Sequence, residues 1–260
     1  MKLSIIIPVF NSSEILDTLM KNIDKHIADY YKLFEVILVN DCSNDTSWPK
    51  IKELKQKYNY IKGINLKENY GQHSAIFAGL KNCVGEKIVC MDDDMQHDPC
   101  HIMNMLSKLE DNDVCYVKYK KREHNYIKIL ISKLNNVFSS YLMGKSIKIY
   151  TSSFKCFNNN ICKNIISNDE SFIFLDYWIF KYTNKITYIS VTHNKRLSGK
   201  TNYDFRELLT LWSKMIFLIN IRKKNFKFLI IFIIKNFFII FLKKYIYYKK
   251  NRKIEILEII

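Results

Sequence analysis

The stretch Ile88–Pro99, IVCMDDDMQHDP, breaks from an apolar run into three consecutive carboxylates, Asp92, Asp93 and Asp94, followed by Gln96 and then Asp98-Pro99. The run Ile88 to Met91 has the length and β-branched content of a buried strand. In an extended chain alternate side chains share a face, so Asp92 and Asp94 point one way and Asp93 the other. Two carboxylates converging beyond a strand's carboxyl end repel each other unless a cation lies between them. Oxygen-only ligands suit Mg²⁺ or Mn²⁺, which use one or two carboxylates together with substrate phosphates. An acidic turn leading into a helix N-cap accounts for the same residues, since Asp98-Pro99 is a good helix start. Spacing leaves both readings open, and the elements around the stretch have to decide.

Those elements alternate. Leu3–Val9, Phe34–Val39, Ile61–Leu66, Lys87–Met91 and Val114–Tyr119 read as strands, each a nearly continuous apolar run. Between them, helical spacing covers Ile15 to Ile27, Trp48–Tyr58, Ser74–Cys83 and Pro99 to Leu109. Such alternation predicts an α/β fold with a mostly parallel central sheet covered on both faces. Ligands of such sheets bind beyond the carboxyl ends of the strands. The loops at those ends carry Asn11, Asp41, Asn69–His73 and Asp92–Gln96, so the polar residues gather on one edge. No GxGxxG or GxxxxGK[ST] is present, so the phosphates of a bound nucleotide have to be neutralised by a metal and basic side chains. Beyond Arg122 the sequence predicts an amphipathic helix over Tyr126–Leu142, a strand over Lys148–Phe157, a short helix over Ile161–Ser167, an aromatic helix over Phe172–Tyr182 containing Asp176, and a strand over Ile186–Thr192. A basic, glycine-containing loop, His193 to Tyr203, follows and has the character of a lid over an anionic substrate.

With 260 residues and 48% hydrophobic residues, the chain can bury a sizeable core and is not disordered. Met1-Lys2 runs straight into LSIIIPV, so no signal peptide is expected. Seven cysteines without a CxxC fit free thiols in a reducing compartment. The net charge of +16 is uneven: twelve Lys/Arg and no acid lie between Leu208 and Ile254. The basicity belongs to a tail, and what the tail touches must explain it.

Five motifs, SIIIPVFNSSE, VNDCSND, NYGQHSAIFAGL, MDDDMQHDP and RLSGKTNY, occur in an order and at separations that resemble the family 2 glycosyltransferases, in particular the dolichyl- or polyprenyl-phosphate sugar synthase branch. The resemblance spans about residues 3–205 and implies a GT-A fold, Rossmann-like, with a nucleotide-sugar donor carrying UDP or GDP. By that resemblance Pro8, Asn11 and Glu14 match the first donor-binding loop, and Asp41 matches the residue that contacts the base or ribose. The family's second aspartate there is Asn40 in this chain. Gln72 and Asp93 fall among the donor contacts. Asp92 and Asp94 match the DxD metal motif, with Gln96 as a further metal or phosphate contact. Arg196, Gly199, Thr201 and Tyr203 match the R-x-x-G-x-S-K-Y lid, in which Thr201 replaces serine and Asn202 replaces lysine; Lys200 is the nearest stand-in for that lysine. Metal at Asp92 and Asp94 would stabilise the leaving nucleoside diphosphate, Asp94 and Arg196 serving the departing charge. An acceptor attacking from the opposite face would give inversion. A lipid phosphate is already ionised and needs no base. A sugar hydroxyl needs one, and Asp176 is the candidate, its alternative role being a partner for a nearby lysine.

The domain expectation is a catalytic domain over 1–205 and a basic, hydrophobic, helical membrane-association segment over 206–260. Phe228–Leu242, interrupted by Lys235-Asn236, is shorter than the roughly 20 apolar residues a spanning helix needs. Its flanking lysines and tyrosines suit an anionic membrane surface at the cytoplasmic face of the cell membrane. A homo-oligomer interface or a buried helix would also use the apolar runs, whereas nucleic-acid binding would not. The expected function is therefore metal-dependent, inverting transfer of a sugar from a nucleotide-sugar to a polyprenyl-phosphate or lipid-linked glycan acceptor. The non-enzymatic alternative is a membrane-bound scaffold retaining a degenerate transferase domain.

Overall fold

The strands expected from the apolar runs pair into one sheet, and their directions place the loops. The computed structural model of the chain describes residues 2–29, 33–119, 151–168, 174–191 and 254–260, with 136, 137, 140 and 149 besides. Strands β1 (Leu3–Val9), β2 (Phe34–Asn40), β3 (Ile61–Leu66) and β4 (Lys87–Cys90) run parallel, in the order β3-β2-β1-β4. Their carboxyl ends consequently lie on one edge. β5 (Val114–Tyr119), β6 (Lys155–Asn158) and β7 (Ile186–Val191) extend the sheet beyond β4, in the order β4-β6-β5-β7. β6 is antiparallel to both β4 and β5, while β5 and β7 are parallel. The expected strand over 148–157 is thus shorter, and it runs against its neighbours. An apolar run encodes burial on both faces but not direction, so the reversal could not be read from it.

Helices cover both faces. α1 (Leu16–Ile27), α2 (Ser47–Lys57) and α4 (Ile102–Ser107) pack on the face formed by Leu3, Ile5, Ile7, Val36, Leu38 and Val89. On the other face, α3 (Gln72–Lys81), α5 (Asn159–Ile166) and α6 (Leu175–Tyr182) cover Ile6, Ile37, Val39, Ile88 and Cys90. The period of two along β1 assigns Ile5 and Ile6 to opposite layers, as an extended backbone must. α3 approaches the sheet closely at Gly79, where an added Cβ would lie 2.5 Å from Ile6 Cγ2. This is the α/β, mostly parallel architecture that the alternation of strands and helices predicts.

The chain divides into two compact units, one of Met1–Asp169, Ile173–Gly199 and Ile254–Ile260, the other of Glu170–Phe172 and Lys200–Lys253. Every described residue belongs to the first. Ile254–Ile260 departs from the expected helical segment: β8 (Ile256–Ile259) pairs antiparallel with β3 at the sheet edge. Glu258 there bonds Lys52 at 2.9 Å and accepts Trp48 Nε1–H at 3.1 Å, and Glu255 bonds Lys67 at 2.6 Å. The two acids of the C-terminus are therefore ties to α2 and to the residue after β3. The helix expected over 126–142 lies outside the described residues apart from Asn136, Val137 and Ser140, which are helical.

Candidate active site

Four loops leave the carboxyl edge of β1 to β4, and hydrogen bonds stitch them together. After β1, the Asn11 N–H donates to Ser43 Oγ at 3.0 Å, and Asn11 Oδ1 accepts the Asn44 N–H at 2.8 Å. The Ser13 N–H donates to Asp45 Oδ2 at 3.1 Å, and Asp45 Oδ1 accepts the Ser47 N–H at 2.9 Å. The Phe10 N–H points to Asp93 Oδ2 at 3.4 Å, joining the β1 loop to the acidic cluster. Asn11, Cys42 and Met95, one in each of the loops after β1, β2 and β4, have positive φ of 53°, 56° and 63°. A non-glycine residue in that region costs about 1 kcal/mol and persists where surrounding bonds over-determine it, commonly at sites.

Asp41 is only 3% exposed, and its two carboxylate oxygens accept the N–H groups of Tyr70 at 2.7 Å and Gly71 at 2.8 Å. Asp41, which the resemblance matches to a base or ribose contact, braces the loop after β3 in the structure. Gly71, with φ +86°, allows the turn that presents both amides before α3 begins. Pro8 is buried in β1 opposite Val39, past Ile6↔Cys90, the last pair with β4. There its missing N–H breaks no bond to β4. Glu14 is exposed and lines a groove with Asp17, Lys50 and Glu53, so the structure groups it with α1 and α2.

The acidic residues themselves emerge as β4 ends. Asp92 Oδ1 accepts from Gln72 Nε2, and Asp92 Oδ2 accepts from Ser153 Oγ at 2.7 Å. Asp94 Oδ1 accepts the Gln96 N–H at 3.1 Å. The left-handed turn at Met95, whose side chain is buried in the core, is what folds Gln96 back. Burial, opposed by a hydrogen bond from Ser12 and reinforced by the charges of Asp92 and Asp94, pushes the Asp93 carboxyl up to about 6. The charges of Asp92 and Asp94 thus add to the cost of ionising Asp93, a cost that a nearby divalent cation would offset. The donor set fits such a cation. It is all oxygen, although among the described residues no three of His, Cys, Asp or Glu come together as a group able to hold a metal by themselves. Asp92 and Asp94 would thus supply two ligands and leave the others to phosphate and water.

Asp176 has a different setting. It is 6% exposed on the first turn of α6; its Oδ1 accepts the Tyr116 hydroxyl at 2.8 Å and is also in contact with Lys155 Nζ. Lys155, on β6, is itself 2% exposed. Burial, together with the adjacent Asp176, pushes the Tyr116 phenol well above its ordinary value, so it stays protonated and donates. The base expected at Asp176 is therefore a member of a buried ion pair. Arg196, Gly199, Lys200, Thr201 and Tyr203, the expected lid, lie outside the described residues. Sequence reasoning missed His97, which folds back within the turn after β4 to accept the Asp92 N–H, and Ser153, whose contact with Asp92 emerges only when β4 and β6 lie side by side.

Compared with known proteins, residues 4–166 match the profile of the family described as Glycosyl transferase family 2. The chain is 28% identical over 212 residues to the undecaprenyl-phosphate 4-deoxy-4-formamido-L-arabinose transferase of Proteus mirabilis (strain HI4320), covering 81% of this chain and 65% of that protein. It thus spans about two thirds of that relative's length. Among solved structures, S. aureus TarS 1-349 is 22% identical with a TM-score of 0.55, covering 83% of this chain and 65% of that one. Glucosyl-3-phosphoglycerate synthase from Mycobacterium tuberculosis, in complex with Mn²⁺, uridine diphosphate and phosphoglyceric acid, is 12% identical with a TM-score of 0.63, covering 85% and 78%. These two likenesses establish the shared fold.

Proposed function

Since the chain belongs to glycosyl transferase family 2, we propose that it moves a sugar from a nucleotide-sugar donor to polyprenyl phosphate at a membrane surface. The observation that carries this reading is the Asp92/Asp94 pair on the carboxyl edge of the parallel strands, held in place by Gln72, Ser153 and the Gln96 amide. The Proteus mirabilis relative, named for transfer to undecaprenyl phosphate, supports the acceptor class. Mg²⁺ or Mn²⁺ bound there would supply Lewis-acid stabilisation of the leaving diphosphate. Support for the metal comes from the Mn²⁺ in the structurally similar synthase.

The chain's own residues divide the remaining work. Asp92 and Asp94 would hold the cation, and the stitched loops after β1, β2 and β3 would form the wall against which a nucleotide lies. By the family resemblance, Arg196 would offset the negative charge that develops on the leaving diphosphate. Transfer to a hydroxyl of a lipid-linked glycan depends on a base, and the burial of Asp176 against Lys155 weighs against it. A phosphate acceptor is already ionised at neutral pH and attacks without one. The single carbon centre inverts when the acceptor enters opposite the leaving diphosphate. The twelve Lys/Arg between Leu208 and Ile254 would draw the chain to anionic lipid at the cytoplasmic face. No helix among the described residues is long and apolar enough to cross a membrane.

The test is an assay of the full chain with Mn²⁺, undecaprenyl phosphate and a panel of radiolabelled UDP- and GDP-sugars. A labelled lipid product is expected with at least one donor, falling at least about 100-fold on chelation. Labelling of a glycan hydroxyl acceptor with none of the lipid phosphate would overturn the acceptor assignment, and activity indifferent to chelation would overturn the metal.

A further inference from the structure

Asp92 is enclosed more completely than a bare cation ligand would need to be. Its own N–H donates to His97 Nδ1 at 2.9 Å. An imidazole nitrogen that accepts carries no proton, so the neutral ring bears its proton on Nε2. Nε2 lies 3.4 Å from Ser153 Oγ and 3.8 Å from Asp92 Oδ2. Ser153 gives its hydroxyl proton to Asp92 Oδ2 at 2.7 Å and keeps its lone pairs turned to the histidine. The ring cannot easily leave this place: His97 is 5% exposed and stacks on Phe154 with centroids 4.9 Å apart and on Tyr119 at 6.2 Å.

From this geometry we infer that His97 and Ser153 are positioning residues for the cation site, acting as a relay that fixes both the backbone and the carboxylate of Asp92. The inference rests on Asp92 being a cation ligand, as proposed above. One imidazole grips the peptide nitrogen of Asp92 through Nδ1 and, through Ser153, orients its side chain. Together with Gln72 on Oδ1, this occupies one lone pair on each carboxylate oxygen and leaves the others for the metal. Groups that orient a ligand in this way commonly alter metal affinity by 10–100-fold when removed. The relay also ties three separate segments to one side chain: the turn after β4, the residue two before β6, and the first turn of α3.

The experiment measures Mn²⁺ binding to the full chain by electron paramagnetic resonance of free Mn²⁺, with the metal alone and with uridine diphosphate added. Ser153→Ala is expected to weaken binding by about tenfold or more, while its thermal midpoint in chelator stays that of the wild type. Ser153→Thr, which restores the hydroxyl, should recover most of the affinity. His97→Asn keeps an acceptor for the Asp92 N–H but cannot reach Ser153, and should fall between wild type and Ser153→Ala. Adding Ser153→Ala to Asp92→Asn should cost nothing beyond Asp92→Asn alone, because the hydroxyl acts through that carboxylate. Wild-type affinity in Ser153→Ala, or additive losses in the double variant, would overturn the relay. If the wild type binds no Mn²⁺ under either condition, the metal reading fails first and the relay falls with it. Tight wild-type binding with an unaffected Ser153→Ala breaks the relay alone.

Discussion

Two groups of buried or half-buried carboxylates face different fates in this molecule. At the start of α6, Asp176 lies against Lys155, and the fold supplies its counter-charge within the chain. At the end of β4, Asp92, Asp93 and Asp94 accept hydrogen bonds from neutral donors, among them Gln72, Ser153, Ser12 and the amides of Phe10 and Gln96. Hydrogen bonds of this kind orient a carboxylate without cancelling its charge. The first arrangement pairs the carboxylate with a charge inside the chain; in the second, the carboxylates are held by the hydrogen bonds just named. Under the proposed function, the charged partner of Asp176 is what separates it from Asp92 and Asp94.

The largest test of that division is at Asp176. Asp176→Asn leaves Lys155 charged, 2% exposed and without its carboxylate, and is expected to destabilise the fold by about 3–5 kcal/mol in urea unfolding. Replacing both partners, Lys155→Met with Asp176→Leu, should recover most of that loss, because apolar pairs of similar volume commonly equal a buried ion pair. The double variant should also keep measurable transfer to lipid phosphate. A stable double variant with no turnover would restore Asp176 to the chemistry and break the division.

At the other site the sign reverses. Asp94→Asn removes one of the like charges that raise the Asp93 carboxyl, while the amide oxygen can still accept the Gln96 N–H. In chelator the variant is expected to gain a few tenths to about 1 kcal/mol. In Mn²⁺ with uridine diphosphate the wild type should gain thermal stability by mass action, and the variant should not. A loss of stability in chelator would mean that Asp94 supports the fold, as Asp176 does.

The same contrast explains what was legible in the sequence. Strand and loop positions followed from apolar runs and their polar ends, so the convergence of Asn11, Asp41, Gln72 and Asp92–Gln96 on one edge was foreseeable from β1–β4 being parallel. Direction was not: β6 carries the apolar signature of its neighbours and reverses only because of how it enters the sheet. That reversal brings Lys155 beside Cys90 and Ser153 beside Asp92, contacts across 61 or more residues that local pattern cannot report. A lysine inside the apolar run FKCF was a visible signal that an acid had to lie near it. β8 was lost for another reason, since four residues after a long basic tail are too short to change the character of a composition window.

A third carboxylate sharpens the comparison at its weak end. Asp45 is exposed, yet it accepts the amides of Ser13 and Ser47 and so braces the β1 loop against α2. Burial pushes its carboxyl up, but the hydrogen bonds from Ser47 and Ser13 outweigh that and hold it below the usual 3.8. A carboxyl depressed in the folded state adds stability above its unfolded value and loses it as the pH falls through the folded one. Asp45→Asn retains one carbonyl oxygen, so it should cost only about 0.5 kcal/mol at pH 7, solvent screening having reduced the effect. The gap between the two proteins should close as the pH drops below 3.8. Urea titrations at pH 7 and at pH 3 measure it. A gap equal at both values would show that the loop is braced by shape alone, and that hydrogen bonding to charge counts for little outside the two buried sites.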